Sequence, residues 1–209
     1  MSKNIKKGII VLLCIVIAGA VGLSVYTISA KGHSEAPNPN VTLMTVPDQT
    51  DFEEHPEWTI PETEPIDYGE NIALEKAVRQ NGQTQVYNCR NVNDGDRFTY
   101  WEGAADAYPN EVTIDMGEPM EMTGARILLN PRQIWSARTQ DVEVLISDDG
   151  ENFTTIYPKT TLSFDPMADN SAYMPFSETV KGQYILFRFY SNSGGSAGQA
   201  AEIEVYGTR

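Results

Sequence analysis

Apolar and polar residues change their spacing twice along the chain. From Ile9 to Ile28 the chain carries no charge. At about 1.5 Å per residue, a helix of that length spans the roughly 30 Å hydrocarbon core of a bilayer. Between residues 31 and 68 the hydrophobic pattern dissolves. From Gly69 onward it returns as short alternating runs separated by turn residues. Glu111–Met116 ends at Gly117, and Ala125–Leu129 ends at Asn130-Pro131. Asp141–Ile146 runs into Ser147-Asp148-Asp149-Gly150, a hairpin-type turn. Phe153–Tyr157, Tyr184–Tyr190 and Glu202–Tyr206 follow, with no sustained helical period and no internal repeat. Many short strands in one stretch predict an all-β domain, a β-sandwich or jelly-roll barrel, over residues 69–209.

The ends of the hydrophobic run set the expected topology. Residues 1–8 form a basic tail with Lys3, Lys6 and Lys7, and acidic residues dominate beyond Lys31. That bias predicts a cytoplasmic N-terminus, a transmembrane signal-anchor over 9–30 and a single-pass cell-membrane protein with its C-terminal domain extracellular. A cleaved signal peptide is the competing reading, with Thr27-Ile28-Ser29-Ala30 as its cleavage site. Both readings put the remainder outside the cytoplasm. Residues 31–68 form an acidic linker holding six of the twelve prolines. Proline removes donors and like charges repel, so the segment is expected to be disordered. Its reach runs from roughly 35 Å coiled to about 120 Å in a polyproline-like form. Trp58 is unusual in a spacer and suits docking on the domain or on a partner.

Charge and side-chain inventory remove several functions. The chain has 29 acidic and 15 basic residues, a net charge of −14. Nucleic-acid binding draws its affinity from Lys and Arg against phosphate, so no nucleic-acid partner is expected. Peripheral docking of the acidic part on an anionic membrane is disfavoured for the same reason. Both histidines, His33 and His55, precede the domain, which leaves it without Ser-His or Cys-His nucleophile pairs and without imidazole metal ligands. Cys14 lies inside the hydrophobic segment and Cys89 reads as a small buried hydrophobe. No enzyme is expected.

The stretch from Asn91 to Trp101 concentrates oxygen donors around a tight turn. Gly95 within Asp94-Gly95-Asp96 can adopt positive φ, and Asp94 and Thr99 add side-chain oxygens of the kind a hard cation prefers. Taken alone, this turn is also compatible with an ordinary surface Asx-turn.

Residues Asn71–Gly207 resemble the discoidin family, also called the coagulation factor V/VIII type C domain. The bacterial branch classed as carbohydrate-binding module family 32 is the most similar. The resemblance is carried by Asn71-Ile72-Ala73-Leu74, Asn93-Asp94-Gly95-Asp96 through Thr99-Tyr100-Trp101, and Val112–Gly117. It continues through Asn130-Pro131-Arg132-Gln133, Val144–Gly150 and Ala201–Gly207. The resemblance implies an eight-stranded jelly-roll β-sandwich of the galactose-binding-like type, with its termini close together and a structural Ca²⁺. Carried over by position, Asp94 and Glu202 would supply carboxylates and Thr99 a hydroxyl and a carbonyl. Asn91, Asp96 and Ala201 would supply carbonyls, giving about six or seven oxygens, which suits calcium better than magnesium. Trp101 would be core. The implied ligand site lies in loops at one end. Arg132 stands where such modules hydrogen-bond hydroxyls, with Trp135 in the same loop and Tyr108 at the rim. An alternative for Arg132 is an ion pair with Asp141. Two departures matter: Glu102 replaces a histidine frequent after the tryptophan, and the late loop Ser191–Ser196 offers only Asn192. The implied role is glycan recognition on a membrane anchor. The alternative is an interaction or cell-envelope scaffold module that meets a cell-surface protein.

Overall fold

The computed structural model describes residues 59, 60, 62 and 66–208. The expected transmembrane segment and most of the linker lie outside these residues. Among the described residues no helix is long and apolar enough to cross a membrane.

Eight strands and one short 3₁₀ helix make up the described fold. In order they are β1 (Ala77–Gln80), the 3₁₀ helix (Cys89–Val92), β2 (Trp101–Glu102), β3 (Asn110–Leu128), β4 (Arg138–Ser147), β5 (Thr154–Phe164), β6 (Ser171–Asn192), β7 (Gln199–Ala200) and β8 (Glu202–Thr208). One six-stranded sheet runs β1-β3-β6-β4-β5, with β8 paired to β3, and β2 pairs with β7 in a separate small sheet. All pairings are antiparallel.

The two long strands turn one sheet into a sandwich. The Asn110–Asp115 half of β3 pairs with β6, and its Val112–Asp115 part also with β1; the Gly124–Leu128 half lies between β8 and the start of β6. Register shifts fall between Asp115 and Met120 and between Met122 and Gly124, where an unpaired residue bends a strand. Gly117 sits in the first of these at φ +85°, a conformation open to glycine without penalty. The alternation read from Glu111–Met116 and Ala125–Leu129 is therefore one bent strand seen twice. Inward residues of both halves, among them Val112, Ile114, Met116, Ile127, Phe187 and Phe189, share one core.

The expected hairpin turn is present between β4 and β5. Gly150 takes φ +74°, and Ser147 Oγ accepts from the amides of Asp149 and Gly150 at 3.2 and 3.0 Å. Trp101 is fully buried and packs its ring 5.4 Å from that of Phe189. Cys89 is buried and free. Tyr68, at the sequence boundary of the linker, packs onto the folded body. Its ring lies 4.5 Å from Tyr173 and 5.3 Å from Tyr206, with the Arg126 guanidinium 4.9 Å away.

An ion-pair knot fixes the loops that follow. Arg97 donates to Asp169 Oδ1 at 2.7 Å and to the carbonyl of Leu129 at 3.0 Å, and Arg126 pairs with the other oxygen of Asp169. Burial works to raise the Asp169 pKa, but hydrogen bonds and charge from Arg97, Ser171 and Arg126 outweigh it and hold the carboxyl below its ordinary value. A depressed folded pKa means this stability is present above the unfolded value and is lost as pH falls through the folded one. Asp169→Asn is expected to cost about 2 kcal/mol at neutral pH, between exposed and fully buried pairs. Its melting temperature should fall less than wild type's on acidification below about pH 4. Parallel acid profiles for the two proteins would exclude this role.

Candidate functional site

The oxygen-rich loop is built by local hydrogen bonds and closed by one distant residue. Asn88 caps the 3₁₀ helix by accepting from the Arg90 amide at 3.0 Å. Buried Asn93 donates to the carbonyls of Ala73 and Lys76 at 2.7 and 3.0 Å. Beyond it Gly95 adopts φ +81°. Asp94 Oδ1 accepts from the Asp96 amide at 2.9 Å, and Thr99 Oγ1 donates to Asp94 Oδ2 at 2.9 Å. Glu202, the first residue of β8, reaches across so that its Oε1 accepts from the amides of Gly95 and Asp96 at 3.0 and 3.1 Å.

Glu202 is only 4% exposed. Its pKa is pushed up to about 8, first by burial and then by the facing Asp94 carboxyl. A buried carboxyl facing a second, exposed one repels it unless a proton or a cation lies between them. With the Thr99 hydroxyl beside them, the donors are all hard oxygens, which fits calcium and not a thiolate or imidazole metal. Among the described residues no three of His, Cys, Asp and Glu converge, so a cation here would complete its shell with hydroxyl and carbonyl oxygens.

The other expected carbonyl donors divide. Ala201 lies beside Glu202 with its amide held by the Leu128 carbonyl at 2.8 Å. The Asp96 carbonyl accepts from the Thr99 amide at 3.1 Å, and the Asn91 side chain donates to the Tyr100 carbonyl at 2.8 Å.

Next to this loop, the small β2–β7 sheet sets out the second group of residues. Trp101 points inward, so alternation turns Tyr100 and Glu102 outward on either side of it. Pairing of Glu102 with Gln199 places their side chains together, and Gln199 Nε2 donates to Glu102 Oε2 at 2.8 Å. Gln199 Oε1 accepts from Arg138 Nη1 at 2.7 Å. Arg138 in turn donates to the Trp135 carbonyl at 3.0 Å and lies 5.1 Å from the Trp135 ring centroid. Tyr100 meets Trp135 edge-on at 4.8 Å and stacks on Tyr87 at 4.3 Å. Burial lowers the Arg138 pKa, opposed by Glu102 and Tyr100. The Tyr108 hydroxyl is buried without a hydrogen-bond partner, and burial, Asp106 and Glu102 raise its pKa.

The structure therefore gathers Glu102, Tyr108 and Trp135 at one end of the sandwich. It treats two other expected residues differently. Asn192 is buried; its amide donates to the Ala197 carbonyl at 2.8 Å and to Gln199 Oε1 at 3.2 Å, and accepts from the Gly194 amide at 2.8 Å. It shapes the loop from within. Arg132 shares a turn with Trp135, whose amide donates to the Arg132 carbonyl at 3.0 Å, but its guanidinium lies 5.2 Å over the Phe98 ring. It does not pair with Asp141, which is taken by Thr161 at 2.6 Å and Lys159 at 3.6 Å.

Sequence reasoning missed Arg138, Gln199, Tyr100 and Tyr87. Tyr100 was within reach, since an inward Trp101 implies outward neighbours. Gln199 acquires its place through the β2–β7 register, and Arg138, the first residue of β4, joins it through its bond to Gln199. Two grooves lie elsewhere, about 410 Å³ beside Lys76, Arg90 and Asp94, and about 360 Å³ over Arg79, Glu111 and Arg188. Neither is lined by Trp135 or Glu102.

Solved structures of similar fold include carbohydrate-binding modules. A chitosan-binding module from a chitosanase/glucanase of Paenibacillus sp. IK-5 has a TM-score of 0.53 at 18% identity, covering 66% of this chain and 99% of that one. The module CpGH89CBM32-4 produced by Clostridium perfringens has a TM-score of 0.52 at 19% identity, covering 66% and 98%. The CBM32 of AlyQ, in complex with 4,5-unsaturated mannuronic acid, has a TM-score of 0.53 at 18% identity, covering 64% and 96%. No protein among the curated ones matches the chain. The F5/8 type C domain model matches residues 75–203, and the chain belongs to that family.

Proposed function

We propose that the domain is a glycan-recognition module, stapled by calcium and held outside the cell membrane by the segment 9–30. The observation that carries this reading is the loop end itself. Trp135 and Tyr100 supply aromatic surface, while Arg132 and Glu102 supply a cation and an acceptor on the same side of a discoidin fold. Sugars present hydroxyls around an apolar ring face, and a polar-aromatic surface of this kind answers both. Support comes from modules of the same fold described as binding chitosan or mannuronic acid. The reading is non-catalytic, because the loop end holds no nucleophile paired with a base.

One arrangement favours a second reading. Arg138 covers one face of Trp135, and Asn192 is spent within its loop. A protein partner on the cell surface would use such a capped platform as readily as a sugar. The full chain in detergent, titrated against neutral, amino and uronic oligosaccharides with calcium present, separates the two. Binding is expected to weaken about tenfold or more in Trp135→Ala, as for an aromatic anchor at an interface. Absence of binding to every sugar class would remove the glycan reading. Capture of a membrane protein that is lost with Trp135 and indifferent to sugars would establish the second.

Calcium would be held by Asp94 and Glu202, with Thr99 and the carbonyls of Asn91, Asp96 and Ala201 as the further oxygen donors. Bound there, it would neutralise two facing carboxylates and fasten β8 to the first loop. An ion held only by the native state contributes about 3 kcal/mol at a hundredfold excess over Kd. Chelation with EDTA is expected to lower the melting temperature, calcium to restore it, and Asp94→Ala to abolish the response. An identical melt with and without EDTA would rule out this role for an exchangeable ion.

A further inference from the structure

The chain ahead of the matched family span reaches the loop that carries Arg132 and Trp135. Thr59 is half-buried. Its carbonyl accepts from the Gln133 amide at 3.4 Å, and its hydroxyl accepts from Gln133 Nε2 at 3.1 Å. The two residues are 74 positions apart in sequence. Tyr68, stacked on Tyr173 and Tyr206, secures the same stretch of chain at a second place. The end of the linker is thus clamped twice to the domain it was expected only to carry.

The remaining ties of the Arg132–Trp135 turn show what Thr59 adds. The Arg132 amide is held by Asn130 Oδ1 at 3.1 Å, and the Trp135 carbonyl by Arg138 at 3.0 Å. These fix both ends of the turn. Its middle is Gln133 and Ile134, and Ile134 is 57% exposed, so packing does little to hold it. The two bonds from Thr59 fall on that middle.

We propose that Thr59 is a positioning residue for the recognition loop, so that the working surface includes the end of the stalk. The inference rests on reading this end of the sandwich as the recognition surface. Its physical basis is preorganisation: a loop already held in its bound shape gives up less entropy on binding.

The test uses the full chain in detergent, with Thr59→Gly, Thr59→Val and Thr59→Ser. Thr59→Gly removes the hydroxyl and loosens the backbone that presents the carbonyl. Loss of bonds each contributing on the order of 1 kcal/mol should speed exchange of the Gln133 amide about tenfold. Core amides such as Ile185 and the melting temperature should not change. Galactan, chitosan and galacturonan oligosaccharides serve as the neutral, amino and uronic binding probes. Affinity for whichever the wild type holds should fall about fivefold in Thr59→Gly, less in Thr59→Val, and not in Thr59→Ser, as befits one or two weak bonds.

Unchanged Gln133 exchange in Thr59→Gly would overturn the proposal. So would a parallel loss of core protection, which marks a purely structural contact, or tighter probe binding, which marks a strap covering the loop. If none of the neutral, amino and uronic probes binds the wild type, the functional reading fails, while the exchange result still decides whether Thr59 holds the loop.

Discussion

A carboxylate buried at the edge of a β-sandwich must be met by donors, and Glu202 is met by two amides of a loop more than a hundred residues earlier. The Gly95 and Asp96 amides point at it because Asp94 and Gly95 turn the backbone. That contact joins the start of β8 to the first loop. Asn71 does similar work nearby, its side chain accepting from the Val205 amide at 3.2 Å while the Ile72 amide donates to the Val205 carbonyl at 2.8 Å. With β8 seated, the far half of β3 gains its second neighbour and the core is covered there. Facing Asp94 and Glu202 carboxyls make the joint charge-sensitive, which gives a divalent ion a structural reason to lie there.

The strands that alternate cleanly were readable because each shows one face to a single core. Glu111–Met116 and Asp141–Ile146 fall within β3 and β4, and Ala125–Leu129 runs one residue past the end of β3. What alternation could not show is that the first two are one strand, because the bulge between them breaks the period without ending the pairing. The first half of β6 was missed for a related reason. Pro175 and the exposed Tyr173, Ser177 and Glu178 interrupt the apolar signal, although Met174 and Phe176 still face the core.

The two candidate sites differed in the same way. The ion loop is local, so residue types and spacing displayed its turn with Asp94 and Thr99, while family resemblance supplied Glu202 and the carbonyls of Asn91, Asp96 and Ala201. The loop end is non-local. Glu102 meets Gln199 through a two-residue strand pair, Gln199 meets Arg138 through its side chain, and Arg138 then lies over Trp135. No spacing rule relates positions 102, 138 and 199. The residue singled out by motif, Arg132, shares a turn with Trp135, and its guanidinium lies over Phe98.

The placement of positive charge narrows what the loop end can recognise. In a chain of net charge −14, most arginines of the domain already have work. Arg97, Arg126 and Arg188 stand in ion pairs. Arg79 donates to the Gly150 carbonyl at 2.5 Å, and Arg138 holds Gln199. Arg132 lies over the Phe98 ring, with no ion pair to a carboxylate among the described residues. A guanidinium on an aromatic face keeps its edge donors directed outward. Glu102 commits one oxygen to Gln199, and the charge it retains lies close enough to Tyr108 to raise that phenol's pKa. Arg132, in the turn of Trp135, thus offers a donor cation, and Glu102, linked to Trp135 through Gln199 and Arg138, an acceptor carboxylate. A ligand bearing a single sign of charge would satisfy one and oppose the other. A sugar whose hydroxyls both donate and accept satisfies the two together, and this polarity is the physical reason to seek hydroxyl-rich ligands before strongly charged ones.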